Sequence, residues 1–386
     1  MKDFPQRHEI IENFTSENAN QQIYMITGIR GSGKTVIMSS VADYLRNESG
    51  WIVVDLNPET DLVHGLAARL SNHAVCRKWF QQANLNLSFL GLGLEIEGAP
   101  PITDLETAVL NMLEHIKNHG KRLLITVDEV TNTKQMRIFA SFFQIMLRQN
   151  LPVFLLMTGL YENIYELQNE KTLTFLYRAP KIQLHALEMT AIRLRYQSIF
   201  QIPEAQAVEM AKLTGGYPFA FQLLGYLTWN QGGQYREVLQ DYRQSLYEYV
   251  YIKIWAELSP KDRTVLRGIA EAQDSSVKAA KEYLKMTDNE WAPYRQRLVR
   301  KGVIDTSERG KVRLTFLIRT IRQIRIDQGL IRKACFIGQI LEILDCTLIQ
   351  VNRDLLLHLT RVRVFLRVGK ILFLPPCVFG HFACGA

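Results

Sequence analysis

One short stretch of the chain restricts its fold more than any other. Residues 28–35 read Gly-Ile-Arg-Gly-Ser-Gly-Lys-Thr, which fits the pattern G-x-x-x-x-G-K-[ST] without a mismatch. An apolar, strand-like run, Ile23–Thr27, precedes this loop, and a helix-like run, Lys34–Leu45, follows it. Glycines in such a loop let backbone N–H groups converge on phosphates, and the start of the following helix adds its positive dipole end. The motif therefore predicts a phosphate-binding loop between a buried strand and a helix.

The residues of this loop have separate predicted roles. Lys34 is expected to reach the β- and γ-phosphates of a nucleotide, and the Thr35 hydroxyl is expected to ligate Mg²⁺. The predicted nucleotide-contacting set is Gly28, Ile29, Arg30, Gly31, Ser32, Gly33, Lys34 and Thr35.

A second anchor for the metal follows another apolar run. Leu123–Val127 consists of strand-forming residues and is followed directly by Asp128 and Glu129. Asp128 is predicted to hold Mg²⁺ through water, and Glu129 is predicted to polarise the attacking water as a general base. A capping or strand-end role stays open for Asp128, and a non-catalytic acid beside a metal site stays open for Glu129. Two adjacent acids favour hydrolysis over simple nucleotide binding.

Apolar runs and helical-period stretches alternate from residue 23 to about residue 185. This order predicts a parallel sheet with helices on its faces, an α/β core spanning residues 1–186. The predicted strands are Ile23–Thr27, Trp51–Asp55, Leu123–Val127, Val153–Met157 and Ile182–Leu184, and the predicted helices include Lys34–Leu45, Leu62–His73 and Met136–Leu147.

The pattern becomes helical after Ala186. Residues 187–258 are predicted to form helices at Met189–Phe200, Glu204–Leu213, Phe219–Trp229 and Tyr235–Leu258. Residues 259–316 are predicted to form three short helices and a hairpin, with Ser259 and Pro260 opening the first helix. Residues 317–386 hold four of the five Cys at spacings that do not suit zinc. This basic tail is interpreted as an altered extension or as an accessory helical segment, and no chemistry is assigned to it.

The acidic pair, the order of elements and the run Phe154–Gly159 resemble the AAA+/STAND division of P-loop ATPases. In that division a polar residue ends the strand after the acidic pair and senses the γ-phosphate. The resemblance implies this role for Thr158. A threonine that merely ends a strand is the alternative.

The stretch Thr214–Leu224 resembles the G-x-P element at the helical lid of STAND and archaeal-type ATPases. The resemblance implies that Gly216 and Pro218 lie near the adenine and that residues 187–258 form a lid; an αα-hairpin turn without a ligand is the alternative. No Arg occurs between Phe219 and Tyr235, whereas ordinary AAA+ lids carry one. This departure favours the STAND-like interpretation over a hexameric motor. Arg178 is the candidate for an arginine finger.

Residues 259–316 resemble a winged helix, in which the third helix enters the major groove and the wing contacts phosphates. The predicted DNA contacts are Arg295, Arg297, Arg300 and Lys301 on the helix and Arg309 and Lys311 on the wing. A winged helix that contacts a protein partner is the alternative.

Charge places any anionic partner at the C-terminal quarter of the chain. The total is +8, with +5 in residues 291–317, +6 in residues 318–386 and therefore −3 in the first 290. With 47% hydrophobic and 22% charged residues, the composition excludes a mainly disordered chain. The uncharged run at the end of the sequence, Ile371–Ala386, is shorter than the roughly 18–20 residues of a membrane span. We therefore expect a soluble cytoplasmic protein.

Together these features predict a parallel-sheet P-loop NTPase core with a helical lid, followed by a winged-helix domain. The predicted cofactors are ATP and Mg²⁺, and the predicted activity is ATP hydrolysis that is slow without a partner. The predicted partner is double-stranded DNA. The alternative is a signalling or scaffold ATPase that contacts a protein partner or further copies of itself. A P-loop kinase is disfavoured by the adjacent acids and by the winged module.

Overall fold

The computed structural model describes residues 5–315, except 18, 20, 92–101, 273 and 307. The basic tail at 317–386 lies outside the described residues.

Five parallel strands form the central sheet. Their order is β2-β3-β4-β1-β5, so β4 lies between β1 and β3. The strands are β1 (Ile23–Thr27), β2 (Trp51–Leu56), β3 (Arg122–Val127), β4 (Val153–Gly159) and β5 (Lys181–Gln183). The parallel sheet and all five of its strands confirm the predicted α/β core.

The apolar runs in these strands are continuous because both faces of the sheet are covered. Every residue of β1 and of β4 is buried. Successive residues of β1 serve different cores, since Met25 packs into one apolar cluster and its neighbours Tyr24 and Ile26 pack into the other.

Two sets of helices supply those clusters. One set, α1 and α2, packs on one face, and the second set, α3 to α7, packs on the other. Their bounds are α1 (Pro5–Thr15), α2 (Lys34–Arg46), α3 (Leu62–Asn72), α4 (Ala74–Gln82), α5 (Leu105–Asn118), α6 (Lys134–Arg148) and α7 (Tyr161–Gln168). Sequence patterning did not single out α1, α4, α5 or α7. For α4 the reason is plain, because Cys76 and Phe80 are its buried residues and two apolar positions make a weak stripe.

The remaining helices agree with the predicted pattern except in one place. The predicted helix Tyr235–Leu258 begins later and is interrupted by a π-helical turn at Tyr247–Tyr251. The helices are α8 (Met189–Phe200), α9 (Glu204–Thr214), α10 (Pro218–Asn230), α11 (Leu239–Leu246), α12 (Ile252–Ala256), α13 (Pro260–Glu271), α14 (Val277–Leu284) and α15 (Asp288–Arg300).

An antiparallel pair of short strands follows α15. In this pair, β6 (Ile304–Asp305) faces β7 (Arg313–Leu314). The predicted start of α13 is confirmed, because Ser259 and Asp262 form a capping box and Pro260 is the first helical residue.

The chain divides into two compact units. The first unit contains the described residues of Met1–Arg195 together with Ala207–Ala220 and Arg295–Gly302. The second contains Tyr196–Gln206, Phe221–Tyr294 and the described residues from Val303 onward. The phosphate loop, the Gly-Gly-Tyr-Pro turn and the basic end of α15 all belong to the first unit.

None of the helices in the described part of the chain has both the length and the apolar character needed to cross a lipid bilayer.

Candidate nucleotide site

The strand order brings three separate parts of the sequence to one edge of the sheet. The loop 28–35 follows β1, Thr158 lies near the end of β4, and Asp128 and Glu129 follow β3. Because β4 pairs in parallel with both β1 and β3, the carboxyl ends of the three strands are neighbours. In open α/β sheets this edge is where ligands bind.

The loop has the backbone that its glycines permit. Gly31 and Gly33 both have positive φ, at 68° and 89°, and Gly33 is the N-cap of α2. Lys34 is buried, and its Nζ donates to the carbonyl oxygens of Gly28 at 3.1 Å and Ile29 at 2.8 Å. The ammonium group therefore lies inside the loop, at the N-terminus of a 13-residue helix.

The two predicted metal ligands are in direct contact. The Thr35 hydroxyl donates to Asp128 Oδ2 at 2.8 Å, although 93 residues separate them in sequence. Thr158 is fully buried, and its hydroxyl donates to the other carboxylate oxygen, Asp128 Oδ1. The Asp128 carboxylate is thus oriented from both sides.

Glu129 has an unusual backbone conformation. Its φ is 52°, in the left-handed region that non-glycine residues rarely adopt. Its N–H donates to Asp128 Oδ1 at 3.0 Å and to Thr158 Oγ1 at 3.2 Å, and these bonds hold the peptide in place. The side chain is exposed at the edge of the sheet. Strained residues of this kind cluster at functional sites.

The donor set suits a nucleotide with Mg²⁺. A hydroxyl and a carboxylate are hard oxygen ligands of the kind that Mg²⁺ takes beside substrate phosphates. Ser32 is buried in the loop, and in the described part of the chain its hydroxyl has no hydrogen-bond partner. A Cβ on Gly28 would lie 2.4 Å from that hydroxyl, so a side chain at the first loop position would displace it. The residues present therefore fit the predicted cofactors.

The Gly-Gly-Tyr-Pro turn lies directly on the phosphate loop. Pro218 begins α10, and the carbonyl of Gly216 accepts a hydrogen bond from Leu187 N–H at 2.7 Å. Between them, the Tyr217 hydroxyl donates to the Arg30 carbonyl at 2.6 Å. The sequence motif indicated Gly216 and Pro218 but not Tyr217. The position of Tyr217 between these two motif residues could have indicated it.

Arg178 precedes the amino end of a strand that pairs in parallel with β1, whereas the phosphate loop follows the carboxyl end of β1. It ends a 3₁₀ turn before β5 and is exposed. Among the described residues, no hydrogen bond joins it to Thr35, Asp128 or Thr158.

The predicted DNA contacts fall into two groups. Arg295 and Arg309 are exposed, and Lys311 is exposed but pairs with Glu308. The Lys311 hydrogen bond holds the pKa of the Glu308 carboxyl below its ordinary value.

Two other members lie against α7 instead. The Arg300 guanidinium stacks over the rings of Tyr161 and Tyr165, at 5.3 Å and 5.0 Å from their centroids. Lys301 Nζ lies 3.1 Å from Glu162 Oε2, and the Lys301 side chain is 16% exposed. Arg297 is half-buried. Sequence reasoning gave no role to the α7 residues, although Tyr161 follows Thr158 by only three positions.

Two family models match parts of the chain. The model described as "Nephrocystin 3, N-terminal" matches residues 4–159, the stretch that holds the phosphate loop and the acidic pair. A model described as a domain of unknown function (DUF8462) matches residues 248–317. No curated protein matches the chain.

Solved structures share its architecture. The ORC2 protein of Aeropyrum pernix, solved as ADPNP–ADP complexes, aligns with a TM-score of 0.53 at 12% identity, covering 86% of this chain and 94% of that one. A CDC6P structure from Pyrobaculum aerophilum aligns with a TM-score of 0.40 at 13% identity, covering 86% of this chain and 96% of that one. A STAND protein with a tetratricopeptide repeat sensor from Pyrococcus horikoshii aligns with a TM-score of 0.37 at 15% identity, covering 81% of this chain and 41% of that one.

The parallel five-stranded sheet with its flanking helices matches the fold of the Aeropyrum pernix ORC2 protein. The resemblance of the sequence to the AAA+/STAND division is confirmed at the level of this fold.

Proposed function

We propose that the chain is a Mg²⁺-dependent ATPase whose nucleotide state is coupled to a winged-helix module at residues 259–316 that binds duplex DNA. The observation that carries the ATPase proposal is the Thr35–Asp128 hydrogen bond, with Thr158 and Glu129 tied to the same carboxylate. If Asp128 only capped the end of a strand or helix, its contact with the hydroxyl of Thr35, the residue after Lys34, would have no explanation. The ADPNP and ADP in the Aeropyrum pernix ORC2 structure support the choice of an adenine nucleotide.

Each residue has a defined task in this proposal. Lys34 supplies positive charge to the β- and γ-phosphates, and Thr35 and Asp128 hold Mg²⁺. Bound Mg²⁺ neutralises charge that develops on the phosphate oxygens. Glu129 accepts the proton of the attacking water. Its side chain can do so reproducibly because two hydrogen bonds from its N–H fix its backbone.

Two substitutions test the ATPase proposal on the full chain. Lys34→Ala should abolish measurable ATP binding and serves as the blank. Glu129→Gln should bind ATP with affinity close to that of the unmodified chain but lower the turnover about 10²-fold or more, since it cannot accept a proton. ATP hydrolysis by Glu129→Gln at the unmodified rate would overturn the general-base assignment.

The DNA part of the proposal rests on the basic charge near α15 and on its exposed members, Arg295 and Arg309. It is tested by ATP turnover with and without a duplex, and by duplex binding at several salt concentrations. Binding should weaken with salt, with a slope of about −0.9 per phosphate contact in a plot of log affinity against log salt concentration. Charge reversal at Arg295 and Arg309 should reduce that slope and leave ATP affinity intact.

A second candidate is a STAND-like signalling or scaffold ATPase whose basic module contacts protein. A specific observation favours it, because Arg300 and Lys301 are engaged by protein side chains of α7. Turnover that is lost in Lys34→Ala but indifferent to duplex, together with the absence of salt-dependent duplex binding, would select this candidate.

A further inference from the structure

The Gly-Gly-Tyr-Pro turn and the start of α10 each make a hydrogen bond to the phosphate loop, at two adjacent residues of the loop. Tyr217 Oη donates to the carbonyl oxygen of Arg30 at 2.6 Å, and the Phe219 N–H donates to the carbonyl oxygen of Gly31 at 3.1 Å. Tyr217 is 4% exposed, so the first bond is sheltered from water. All of these residues belong to the same compact unit.

These two bonds fix the orientation of two successive peptide planes. In a trans peptide the C=O and the next N–H point in opposite directions, and no described peptide bond is cis. Holding the Arg30 carbonyl on the side of Tyr217 therefore directs the Gly31 N–H to the opposite side. Phosphate-binding loops work through the orientation of such N–H groups.

The loop is shaped to receive the tyrosine. A Cβ added to Gly31 would lie 2.2 Å from Tyr217 Oη and 2.9 Å from the Phe219 Cβ. Position 31 thus requires glycine for space as well as for its positive φ. This requirement comes from residues that are far from Gly31 in sequence.

The turn that delivers Tyr217 is itself firmly held. The Tyr217 N–H donates to the Thr214 carbonyl at 3.0 Å, and the Gly216 N–H donates to the Thr214 hydroxyl at 3.2 Å. A Cβ on Gly216 would lie 2.8 Å from the Leu187 carbonyl, so this position of the turn has no room for a side chain. The hydroxyl therefore reaches the loop at a defined position.

We infer that Tyr217 is a positioning residue for phosphate binding, acting through the Arg30 carbonyl. Its hydroxyl holds the Arg30–Gly31 peptide so that the loop presents its N–H groups to the nucleotide phosphates. This inference rests on the proposed nucleotide binding. It makes a distinct claim, namely that the tyrosine supports the affinity for phosphate and leaves the recognition of the nucleoside to other residues.

Tyr217→Phe removes the hydroxyl and keeps the ring. A matched control is Tyr196→Phe, because Tyr196 is also buried and its hydroxyl donates to a backbone carbonyl, that of Phe221, at 2.7 Å. Tyr196 lies in the other compact unit. Both variants lose one buried hydrogen bond, so both should lower the melting temperature of the full chain by similar amounts.

The test is calorimetric binding of ADP and of inorganic pyrophosphate to the full chain. Tyr217→Phe should weaken both ligands by the same factor, about 3- to 10-fold, which is the range for loss of one neutral hydrogen bond. Tyr196→Phe should bind both as the unmodified chain does. In hydrogen exchange without any ligand, Tyr217→Phe should expose the amides of residues 28–35 faster, and Tyr196→Phe should not.

Three results would overturn the inference: unchanged ADP affinity in Tyr217→Phe, equal weakening in Tyr196→Phe, or weakened ADP with unchanged pyrophosphate. Failure of the proposed function has a different signature, because the unmodified chain and Lys34→Ala would then give the same null titration with ADP. Accelerated exchange at residues 28–35 in Tyr217→Phe distinguishes a real effect on the loop even in that case.

Discussion

At the scale of single residues, Thr158 explains how the acidic pair is arranged. Its hydroxyl donates to Asp128 and accepts the Glu129 N–H, so one buried side chain orients both acids. The sequence resemblance implies that Thr158 senses the γ-phosphate. The geometry supports a further contribution, which is to hold the carboxylate that faces Thr35.

This arrangement predicts the behaviour of Thr158→Val, which replaces the hydroxyl with a methyl group of similar volume. The affinity for Mg²⁺·ADP should fall about 10-fold or more, as happens when partners behind a metal ligand are removed, whereas ADP affinity in EDTA should stay unchanged. Isothermal titration with and without Mg²⁺ measures both.

The matched control is Thr126→Val. Thr126 is also buried, and its hydroxyl donates to a carboxylate, that of Asp55, at 2.6 Å. It should lose stability without a change in the Mg²⁺ requirement. An equal loss of Mg²⁺·ADP affinity in both variants would contradict the assignment of Thr158.

At the scale of elements, α7 links the nucleotide site to the basic end of α15. It begins at Tyr161, two residues after β4 ends at Gly159. Its Tyr161, Glu162 and Tyr165 hold Arg300 and Lys301. The next residue, Gly302, lies close to the phosphate loop. A Cβ added to Gly302 would lie 2.4 Å from the Ile29 side chain. Two of the residues predicted to meet DNA, Arg300 and Lys301, therefore pack against α7 within the unit that holds the candidate nucleotide site.

If duplex DNA uses the same end of α15, it must compete with α7. The double substitution Glu162→Gln/Tyr165→Leu should then tighten duplex binding about 3- to 10-fold, since a cation–π contact and an ion pair no longer oppose it. Fluorescence anisotropy with a labelled duplex measures the change.

Tyr44→Leu provides the control, because Tyr44 on α2 carries a similar contact to Arg7, at 5.5 Å, and is similarly exposed. It should leave duplex affinity unchanged. If the duplex affinity does not respond to the α7 substitutions, there are two interpretations. Either Arg295 and Arg309 make the DNA contacts of the module, or the module makes no DNA contacts.

At the scale of the whole molecule, the net positive charge and the candidate nucleotide site lie in different parts of the sequence. The first 290 residues carry −3 and include every residue of that candidate site, whereas residues 291–317 carry +5. If the bound nucleotide changes the affinity for DNA, as proposed, the two parts must be energetically coupled. Such coupling between two ligands is reciprocal.

The proposed coupling predicts a closed thermodynamic cycle. The factor by which ATP changes duplex affinity should equal the factor by which duplex changes ATP affinity, and a factor of about 5–150 is typical of such coupling. Both affinities are measured in Glu129→Gln, which should retain ATP without consuming it. A factor of 1 in both directions would indicate that the two sites act independently.

The sequence by itself determined the strands, most of the helices and the phosphate loop, because these depend on local periodicity and on turn chemistry within a few residues. It also indicated Asp128 and Glu129, because they follow a recognisable apolar run, and its resemblance to the AAA+/STAND division implied Thr158. Tertiary structure alone decided which of these groups meet. Thr35 and Asp128 are 93 residues apart and Tyr217 and Arg30 are 187 apart, and their contacts depend on strand order and on how the turn before α10 packs. Burial against distant segments sets those features, and no local pattern records which segment the partner will be.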